Sequence, residues 1–294
     1  MNESCKFLHL LAKYFVVLYL LIQGRVQCDG GLNTRCIDRE VDALLKFQGG
    51  LKDHSNRLSS WQREQNCCQW KGVGCSKTTG HVISINLSYT NIGGTIPNHL
   101  GNLSKLKCLD LSGSKNSLSV NNLNWLSGLS SLQELDMSEV DLTNAKNWFD
   151  VINTLSSLVM LRLSTCRLHT LPLRLVHVNI TSLIILDLSS NAFNATVPQW
   201  LFEIGPTLRC LNLSTTKLYG PIPGKFENLQ SLAVLDLSNN NLNGPIPSSL
   251  GQTQSKGGWH TLIFEGIASF KESFEWETRR KSFAILRVGC VGSC

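Results

Sequence analysis

The feature that most constrains this chain is a seven-residue pattern close to LxxLxLS, which recurs seven times between residues 82 and 238. Successive copies start 24 to 26 residues apart. On a short strand, the leucines of each copy point to one side and the residues between them point to the other. One copy cannot bury its leucines alone, so neighbouring copies must stack, about 4.8 Å apart where their strands pair in parallel. The pattern therefore predicts a solenoid with a parallel sheet on one face.

The repeat length narrows the type of solenoid. A period of roughly 20–29 residues with this strand pattern is the signature of leucine-rich repeats. Three positions after the last strand leucine, such repeats need a side chain that can hydrogen-bond the turn backbone. This turn position is polar or a thiol in six repeats, where it is occupied by Thr90, Ser114, Cys166, Asn191, Thr216 and Asn240. Val140 occupies it in the third repeat, and we expect an irregular turn there.

The second half of the repeat indicates a subtype. Repeats one, six and seven carry IGGTIP, LYGPIP and LNGPIP, and repeat five carries FNATVP, with Ala195 in place of the glycine. This LxGxIP form resembles the extracellular leucine-rich repeats of plants, in which it implies a second short strand and a twisted, right-handed superhelix. Repeats two to four depart from the form, so we expect the second sheet to be interrupted there.

The segment before the repeats extends the resemblance. Residues 36–87 read CIDREVDALLKFQGGLKDHSNRLSSWQREQNCCQWKGVGCSKTTGHVISINL. This segment resembles the N-terminal cap of plant leucine-rich-repeat receptor-like proteins, the membrane-anchored, kinase-less receptors that include fungal-resistance proteins. The resemblance covers roughly residues 28–251. It implies an α/β solenoid, a right-handed leucine-rich-repeat superhelix with a parallel concave sheet and a helical, disulfide-bonded N-terminal cap.

Such a cap is required physically, because the first repeat would otherwise expose one leucine-lined end to water. Residues 38–51 carry apolar side chains at the spacing of one helix face, namely Val41, Leu44, Leu45 and Phe47. We therefore predict an amphipathic helix there, with Trp61 and Trp70 covering the end of the core.

Four cysteines in this segment predict disulfides. Cys36, Cys67, Cys68 and Cys75 can pair in three ways. A bond between the adjacent Cys67 and Cys68 is disfavoured because it would strain the peptide between them. The resemblance favours Cys36 with Cys67 and Cys68 with Cys75. A zinc site is the competing interpretation, which a secretory leader disfavours.

The start of the chain predicts that leader. Residues 7–22 are apolar apart from His9 and Lys13 and are followed by the polar run 25–27. This layout is typical of a secretory signal peptide, and the stretch is short for a membrane span. A retained signal anchor is the alternative. The predicted organisation is a signal peptide at 1–27, a cysteine-rich cap at 28–81, seven repeats at 82–251 and a non-repeat tail at 252–294.

The tail has no repeat register that the sequence reveals. Ile263, Ile267, Phe270 and Phe274 fall at helical spacing, which predicts an amphipathic helix that covers the last repeat. The alternative, which we favour, is that the tail comes from an intron, a shifted frame or a truncated gene model. The chain is then the N-terminal portion of a longer ectodomain.

Five N-x-S/T sequons follow the cap, at Asn86, Asn102, Asn179, Asn194 and Asn212. In a secreted chain such sequons are N-glycan acceptors. Asn86 and Asn212 lie between strand leucines, so we expect their side chains to project from the concave sheet.

The sequence indicates binding and not catalysis. A GxSxG elbow, an HExxH helix and a P-loop are all absent. Asp110, Asp136, Asp187 and Asp236 repeat, but they belong to the LDLS consensus, which favours solvation and strand-edge hydrogen bonding over a row of catalytic acids. Of the net charge of +6, residues 28–251 carry only +2, so nucleic acid is not an expected partner. No cofactor or metal is expected.

Ligand contacts are predicted on the concave face, where outward strand positions vary against a constant scaffold. The non-consensus residues there are Ser84, Tyr89, Lys107, Glu134, Glu139, Arg162 and Arg209. The resemblance implies a peptide, protein or glycan ligand and a co-receptor kinase whose contact region this chain lacks. It places full-length relatives at the plasma-membrane surface, and this chain in the apoplast. The alternative function is a secreted polygalacturonase inhibitor, since such plant inhibitors share this cap and repeat style.

Overall fold

The computed structural model describes residues 35–115, 117–173, 177–204, 207–245, 247 and 261–263. The predicted signal peptide and the tail, apart from residues 261–263, lie outside the described residues. Among the residues described, no helix has the length and apolar character needed to cross a membrane.

Most elements are short. The strands are β1 (Leu51–Asp53), β2 (Val73–Cys75), β3 (Val82–Asn86), β4 (Ile92–Thr95), β5 (Cys108–Asp110), β6 (Leu118–Ser119), β7 (Glu134–Asp136), β8 (Met160–Arg162), β9 (Ile185–Asp187), β10 (Cys210–Asn212), β11 (Tyr219–Pro221), β12 (Val234–Asp236), β13 (Asn241–Asn243) and β14 (Thr261–Ile263). The α-helices are α1 (Asp38–Gly49) and α2 (Trp148–Ile152). Short 3-10 helices lie at Cys67–Gln69, Asn98–Asn102, Asn124–Gly128, Gln199–Phe202 and Gly224–Asn228.

The strand motifs of the repeats form one sheet, here called the concave sheet. Its order is β14-β12-β10-β9-β8-β7-β5-β3-β2, and every pair is parallel except β2 with β3. Equivalent residues pair, so Ile85 faces Leu109 and Leu109 faces Leu135. The central leucine or isoleucine is 0% exposed in all seven repeats. The predicted leucine-rich-repeat solenoid is therefore confirmed.

In the part of the chain that the structure describes, a second sheet is present in two pieces. β4 pairs in parallel with β6 and antiparallel with β1, and β11 pairs in parallel with β13. The predicted interruption is correct for repeats three and four among the described residues, apart from an isolated bridge between Ser119 and Asp141. It is wrong for repeat two, which contributes β6 although it lacks the LxGxIP form.

Repeat five has no second strand among its described residues, although its sequence approaches the consensus. The consensus glycines adopt positive φ angles, 104° at Gly94, 84° at Gly220 and 78° at Gly244. Glycine reaches this region without the cost that a Cβ imposes. In repeat five the positive φ, 47°, moves to Asn194, one residue before Ala195. The single alanine thus explains why the local backbone differs.

Aromatic side chains fill the flank in the repeats that lack this strand. Trp148 of α2 stacks against Phe193 at a centroid distance of 6.3 Å, and Phe149 lies 4.2 Å from Trp200. The indole of Trp148 donates to the Thr170 carbonyl at 2.9 Å. Packing therefore replaces strand pairing on this side of the solenoid.

The turn ladder is only partly as predicted. Asn191 and Asn240 each donate from Nδ2 to three backbone carbonyls and accept backbone N–H groups of the preceding repeat at Oδ1. The expectation of an irregular turn at Val140 is wrong. Glu139 has the positive φ, 66°, that the equivalent residues share, and the Val140 N–H donates to the Met137 carbonyl at 3.0 Å. Cys166 Sγ of the next repeat also lies 3.1 Å from that carbonyl oxygen, so the turn keeps its polar partners.

The cap covers the leucine-lined end of the first repeat, as predicted. Phe47 of α1 packs on Trp61, which stacks on Trp70 at 5.4 Å. The buried Glu40 connects helix to sheet, because Oε2 accepts the Val82 N–H at 2.7 Å and Oε1 lies 2.8 Å from His81 Nδ1. The apolar core therefore continues from the cap into the repeats.

Both disulfides that the resemblance implies are present. Cys36 pairs with Cys67, and Cys68 pairs with Cys75. The four sulfur atoms lie within 4.8 Å of one another, a spacing that would also suit a zinc ion. Zinc binds thiolates, and all four sulfurs here are in disulfides.

The tail contributes an eighth repeat strand, which corrects the expectation that it has no repeat register. β14 pairs in parallel with β12, and Leu262 faces Leu235. Ile263, expected on a helix, is in this strand. The other three positions of the predicted helix lie outside the described residues.

Candidate ligand-binding surface

The last strand position of each repeat carries a row of polar side chains across the concave sheet. In register, the row reads Asn86, Asp110, Asp136, Arg162, Asp187, Asn212 and Asp236. In every repeat except the fourth, the side-chain oxygen accepts the N–H of the serine two residues later, at 2.9–3.1 Å. The repeated aspartates therefore close the strand ends, the hydrogen-bonding role that the sequence indicates.

Arg162 interrupts this row and compensates its charge. It faces Asp136 on one side and Asp187 on the other. Its Nη1 lies 3.7 Å from Asp136 Oδ2, and the two side chains are 13% and 14% exposed. Arg162, predicted as a ligand contact, thus lies between two carboxylates of the row and is mostly buried.

The carboxylates around Arg162 are partly desolvated. Burial raises the pKa of Glu134, the charge of Asp110 raises it further, and Arg162 opposes both. Burial also raises the pKa of Asp136, against hydrogen bonds from Ser138 that lower it. Among the predicted contacts, Glu134 and Arg162 lie on neighbouring strands and interact electrostatically, and the Glu134 N–H donates to the Lys107 carbonyl at 2.9 Å.

The most accessible strip of the sheet runs along the second position of the LxxLxL motif. Each residue of the strip donates its N–H to the carbonyl of its predecessor, at 2.7–2.8 Å. From the first repeat to the seventh, the strip reads Ile83, Lys107, Gln133, Val159, Ile184, Arg209 and Ala233. Lys107, Gln133 and Arg209 are exposed, and Val159 and Ile184 are half-buried between them.

Sequence reasoning named only the two cations of this strip. Lys107 and Arg209 lie four strands apart, about 19 Å at the usual strand spacing. Gln133, Val159 and Ile184 are not among the predicted contacts, because their side chains are not unusual in polarity and only their position in the repeat marks them. The position itself was the available signal.

The remaining predicted contacts lie on the turns or in β3, the strand of the first repeat. Tyr89 is 81% exposed, and a Cβ added at Gly113 would meet its ring, so the ring lies over that glycine. Glu139 Oε2 accepts the Lys115 N–H at 3.0 Å. Ser84 is half-buried in β3. The seven predicted residues are therefore spread over five repeats, on the strands, just before them or on the turns that follow them.

The sequons fall on two kinds of surface. Asn86 and Asn212 are half-buried in the polar row of the concave sheet. Asn102, Asn179 and Asn194 are exposed and lie outside that sheet. That the side chains of Asn86 and Asn212 project from the concave sheet stays a prediction.

Comparison with known domains and proteins supports the architecture. Residues 37–76 match the leucine rich repeat N-terminal domain, and residues 81–103 and 231–253 match the leucine rich repeat. Receptor-like protein EIX1 of Solanum lycopersicum is 32% identical, over 76% of this chain and 28% of its own length. Receptor-like protein EIX2 of the same species is 33% identical, over 68% of this chain and 26% of its own. This chain thus spans less than a third of these relatives.

Solved structures give the same fold. The ectodomain of the Arabidopsis receptor kinase HAESA, in complex with an IDA peptide hormone, aligns with a TM-score of 0.55 and 28% identity over 74% of this chain and 40% of its own. HAESA has also been solved with IDA and the co-receptor SERK1. The Arabidopsis GASSHO1/SCHENGEN3 ectodomain aligns with a TM-score of 0.57 at 24% identity, over 78% of this chain and 29% of its own.

Proposed function

We propose that this chain, which belongs to the leucine-rich-repeat receptor-like proteins of plants, binds an extracellular peptide or protein segment on its concave sheet without catalysing a reaction. The observation that supports this most directly is the in-register strip from Lys107 to Arg209. Its ends are exposed cations and its centre is half-buried aliphatic surface. Such a strip suits an extended ligand with an apolar middle.

The dimensions of the strip favour a short segment. About 19 Å separates its two cations, and an extended chain rises about 3.3 Å per residue, so about six ligand residues span it. Among the peptide, protein and glycan ligands that the sequence leaves open, a polypeptide segment best matches an apolar centre, because aliphatic contacts supply binding energy in proportion to buried area. HAESA, a receptor of the same fold, is bound to a peptide in its solved complex.

Location and signalling are part of the same proposal. We place the chain outside the cell, where its cap disulfides persist. For a longer relative, signalling would go through a partner kinase, as the co-receptor complex of HAESA suggests; this chain, whose sequence predicts that it lacks the co-receptor contact region, would bind without signalling on its own.

The test is a screen of the secreted chain against a library of synthetic photo-crosslinking peptides. We expect hits whose affinity falls tenfold or more, which is about 1.4 kcal/mol, in the variant Lys107→Ala/Gln133→Ala/Arg209→Ala. The matched control is His99→Ala/Gln199→Ala/Lys225→Ala, which removes three exposed side chains on the 3-10 helices. Equal loss in both variants would overturn the site. Inhibition of a fungal polygalacturonase by the chain would instead support the inhibitor function.

A further inference from the structure

We infer that the turns of the repeats form a second binding site, which takes a neutral, extended oligosaccharide stacked on Tyr89. The site lies where the strands of the concave sheet end, whereas the strip from Lys107 to Arg209 lies where they begin. It goes beyond the proposed function and does not rest on it.

The residue just before the turn position has a left-handed backbone in all seven repeats, with φ between 53° and 74°. In the first six repeats its N–H donates to a serine carbonyl of the next repeat, at 2.9–3.2 Å. These bonds hold the seven residues in one row, with neighbours about 4.8 Å apart. The row, here called the turn edge, consists of Tyr89, Gly113, Glu139, Thr165, Ser190, Thr215 and Asn239.

The tyrosine that begins the turn edge costs stability. A left-handed backbone costs a residue with a Cβ roughly 1–2 kcal/mol, and Tyr89, at φ 53° and 81% exposed, regains little of that by burial. Its ring lies over Gly113, where an added Cβ would clash with Cγ, Cδ1 and Cε1 of the ring. The glycine therefore gives one ring face a floor, and the other face meets solvent. A bulky residue held in this backbone region points to a functional role, and an aromatic ring held in this way is a stacking surface.

The polar groups beyond the ring match the hydroxyls of a sugar. A pyranose presents a face of C–H groups, which packs on an aromatic ring, and rim hydroxyls that need hydrogen-bond partners. Glu139 Oε2 accepts the Lys115 N–H at 3.0 Å, which fixes the carboxylate and leaves Oε1 to accept a sugar hydroxyl. The next four side chains of the turn edge are exposed, uncharged and carry a hydroxyl or a carboxamide, namely Thr165, Ser190, Thr215 and Asn239.

The form of the turn edge sets the shape and charge of this ligand. Six strand intervals separate Tyr89 from Asn239, about 29 Å at the usual spacing, so an extended saccharide chain can follow the row. Beside the ring, the charges of Glu139 and Lys115 offset each other. On the fourth repeat, Arg167 is paired with Asp141 at 2.8 Å. A neutral oligosaccharide therefore fits better than an acidic one, and a row of short polar side chains offers a peptide no apolar pocket.

The test is ligand-observed saturation-transfer NMR of the secreted chain with cellohexaose, chitohexaose and xylohexaose. We expect at least one of them to bind, with the strongest saturation at the C–H groups of one ring face. Tyr89→Ala should weaken that binding about tenfold or more, whereas Tyr89→Phe, which keeps the ring, should stay within about threefold. The matched control is Tyr219→Ala, which removes an exposed tyrosine from the flank and should leave binding unchanged.

A further variant removes the floor and keeps the ring. Gly113→Ala places a Cβ against Tyr89, so we expect it to weaken saccharide binding as Tyr89→Ala does, with circular dichroism confirming that the chain is folded. The absence of binding by all three hexasaccharides, or an equal loss in Tyr89→Ala and Tyr219→Ala, would overturn the site. Tighter binding of hexagalacturonate would overturn the neutral class of ligand.

The same titrations separate this site from the strip. The variant Lys107→Ala/Gln133→Ala/Arg209→Ala should bind the hexasaccharide as the parent chain does. Loss of binding in that variant, with none in Tyr89→Ala, would place the saccharide on the strip and overturn a second site. Because no peptide is used, failure here is distinct from failure of the peptide screen.

Discussion

Repeats three and four share a sheet with repeats six and seven but differ from them at the turn position and on the flank. β7 and β8 pair in the same register as β10 and β12. At the turn position, however, repeats three and four have Val140 and Cys166, whereas repeats six and seven have Thr216 and Asn240. On the flank, repeats three and four use α2 and aromatic packing, whereas repeats six and seven use the paired strands β11 and β13.

This difference shows which parts of a repeat are fixed. Strand backbone groups must pair with neighbours on both sides because buried N–H and C=O groups are costly to leave unpaired, so the LxxLxL spacing cannot vary. The turn requires only that each buried carbonyl has a hydrogen-bond donor, and the flank requires only that side chains fill the space beside the core. Met137, whose carbonyl is reached by Cys166, illustrates the looser rule.

The largest expected effect is on the aromatic flank. Trp148→Ala removes a side chain that is 1% exposed and leaves a cavity, so we expect a loss of about 3–5 kcal/mol in the free energy of unfolding by urea. The contrasting variant is Tyr219→Ala, an aromatic of the strand-paired flank that is 46% exposed. We expect it to cost under about 1 kcal/mol. Similar losses in the two variants would show that the flanks do not differ as described.

The second largest loss of stability is expected at the polar turn of repeat seven. Asn240→Ala removes an Oδ1 that accepts from the N–H groups of Thr216 and Leu218, and an Nδ2 that donates to Leu213 and Leu237. Unsatisfied buried groups cost about 1–3 kcal/mol each, so we expect a loss of about 3 kcal/mol by the same urea measurement. The neighbouring exposed Asn241→Ala serves as the control, with an expected change within about 0.5 kcal/mol. A loss at Asn240 no larger than at Asn241 would mean that water replaces the side chain.

The same contrast explains what the sequence could predict. The register of the concave sheet follows from leucine spacing alone, and the family resemblance supplied the cap disulfides. The turn at Val140 could not be anticipated, because its carbonyl partner comes from Cys166, one repeat further along the chain. The strand β14 does not follow from the leucine pattern, because the aligned segment WHTLIF has Trp259 and Phe264 where the consensus has leucine. At the candidate site, Arg162 stood out as unusual in sequence, and only the register showed that it lies between two carboxylates.

A smaller effect separates glycine from alanine at the second strand. Gly220 has φ 84°, and a Cβ there would touch only Thr196 Cγ2 at 3.4 Å, so the strain of Gly220→Ala is conformational. A left-handed backbone costs roughly 1–2 kcal/mol for a residue with a Cβ, and we expect that loss in stability. The reverse change in repeat five, Ala195→Gly, costs less than about 1 kcal/mol, because it mainly adds freedom to the unfolded chain. Equal effects would contradict the view that this glycine distinguishes repeats with a second strand from repeat five.

The smallest effect depends on pH and falls in repeat three. Burial and Asp110 raise the pKa of Glu134 in the folded chain, against the attraction of Arg162. A carboxyl group with a raised folded pKa costs stability while it is ionised, and the cost disappears as pH falls through that pKa to below the ordinary glutamate value of about 4.3. Glu134→Gln is neutral throughout, so we expect it to be more stable than the parent at pH 7, by under about 1 kcal/mol because the site is partly screened by solvent. The advantage should vanish near pH 4 in thermal unfolding followed by circular dichroism, whereas the exposed control Glu203→Gln should show no comparable gain. If the variant is less stable than the parent at pH 7, the attraction of Glu134 to Arg162 outweighs the cost of its desolvation. Repeat three would then differ from repeats six and seven by an ion pair and not by a buried charge.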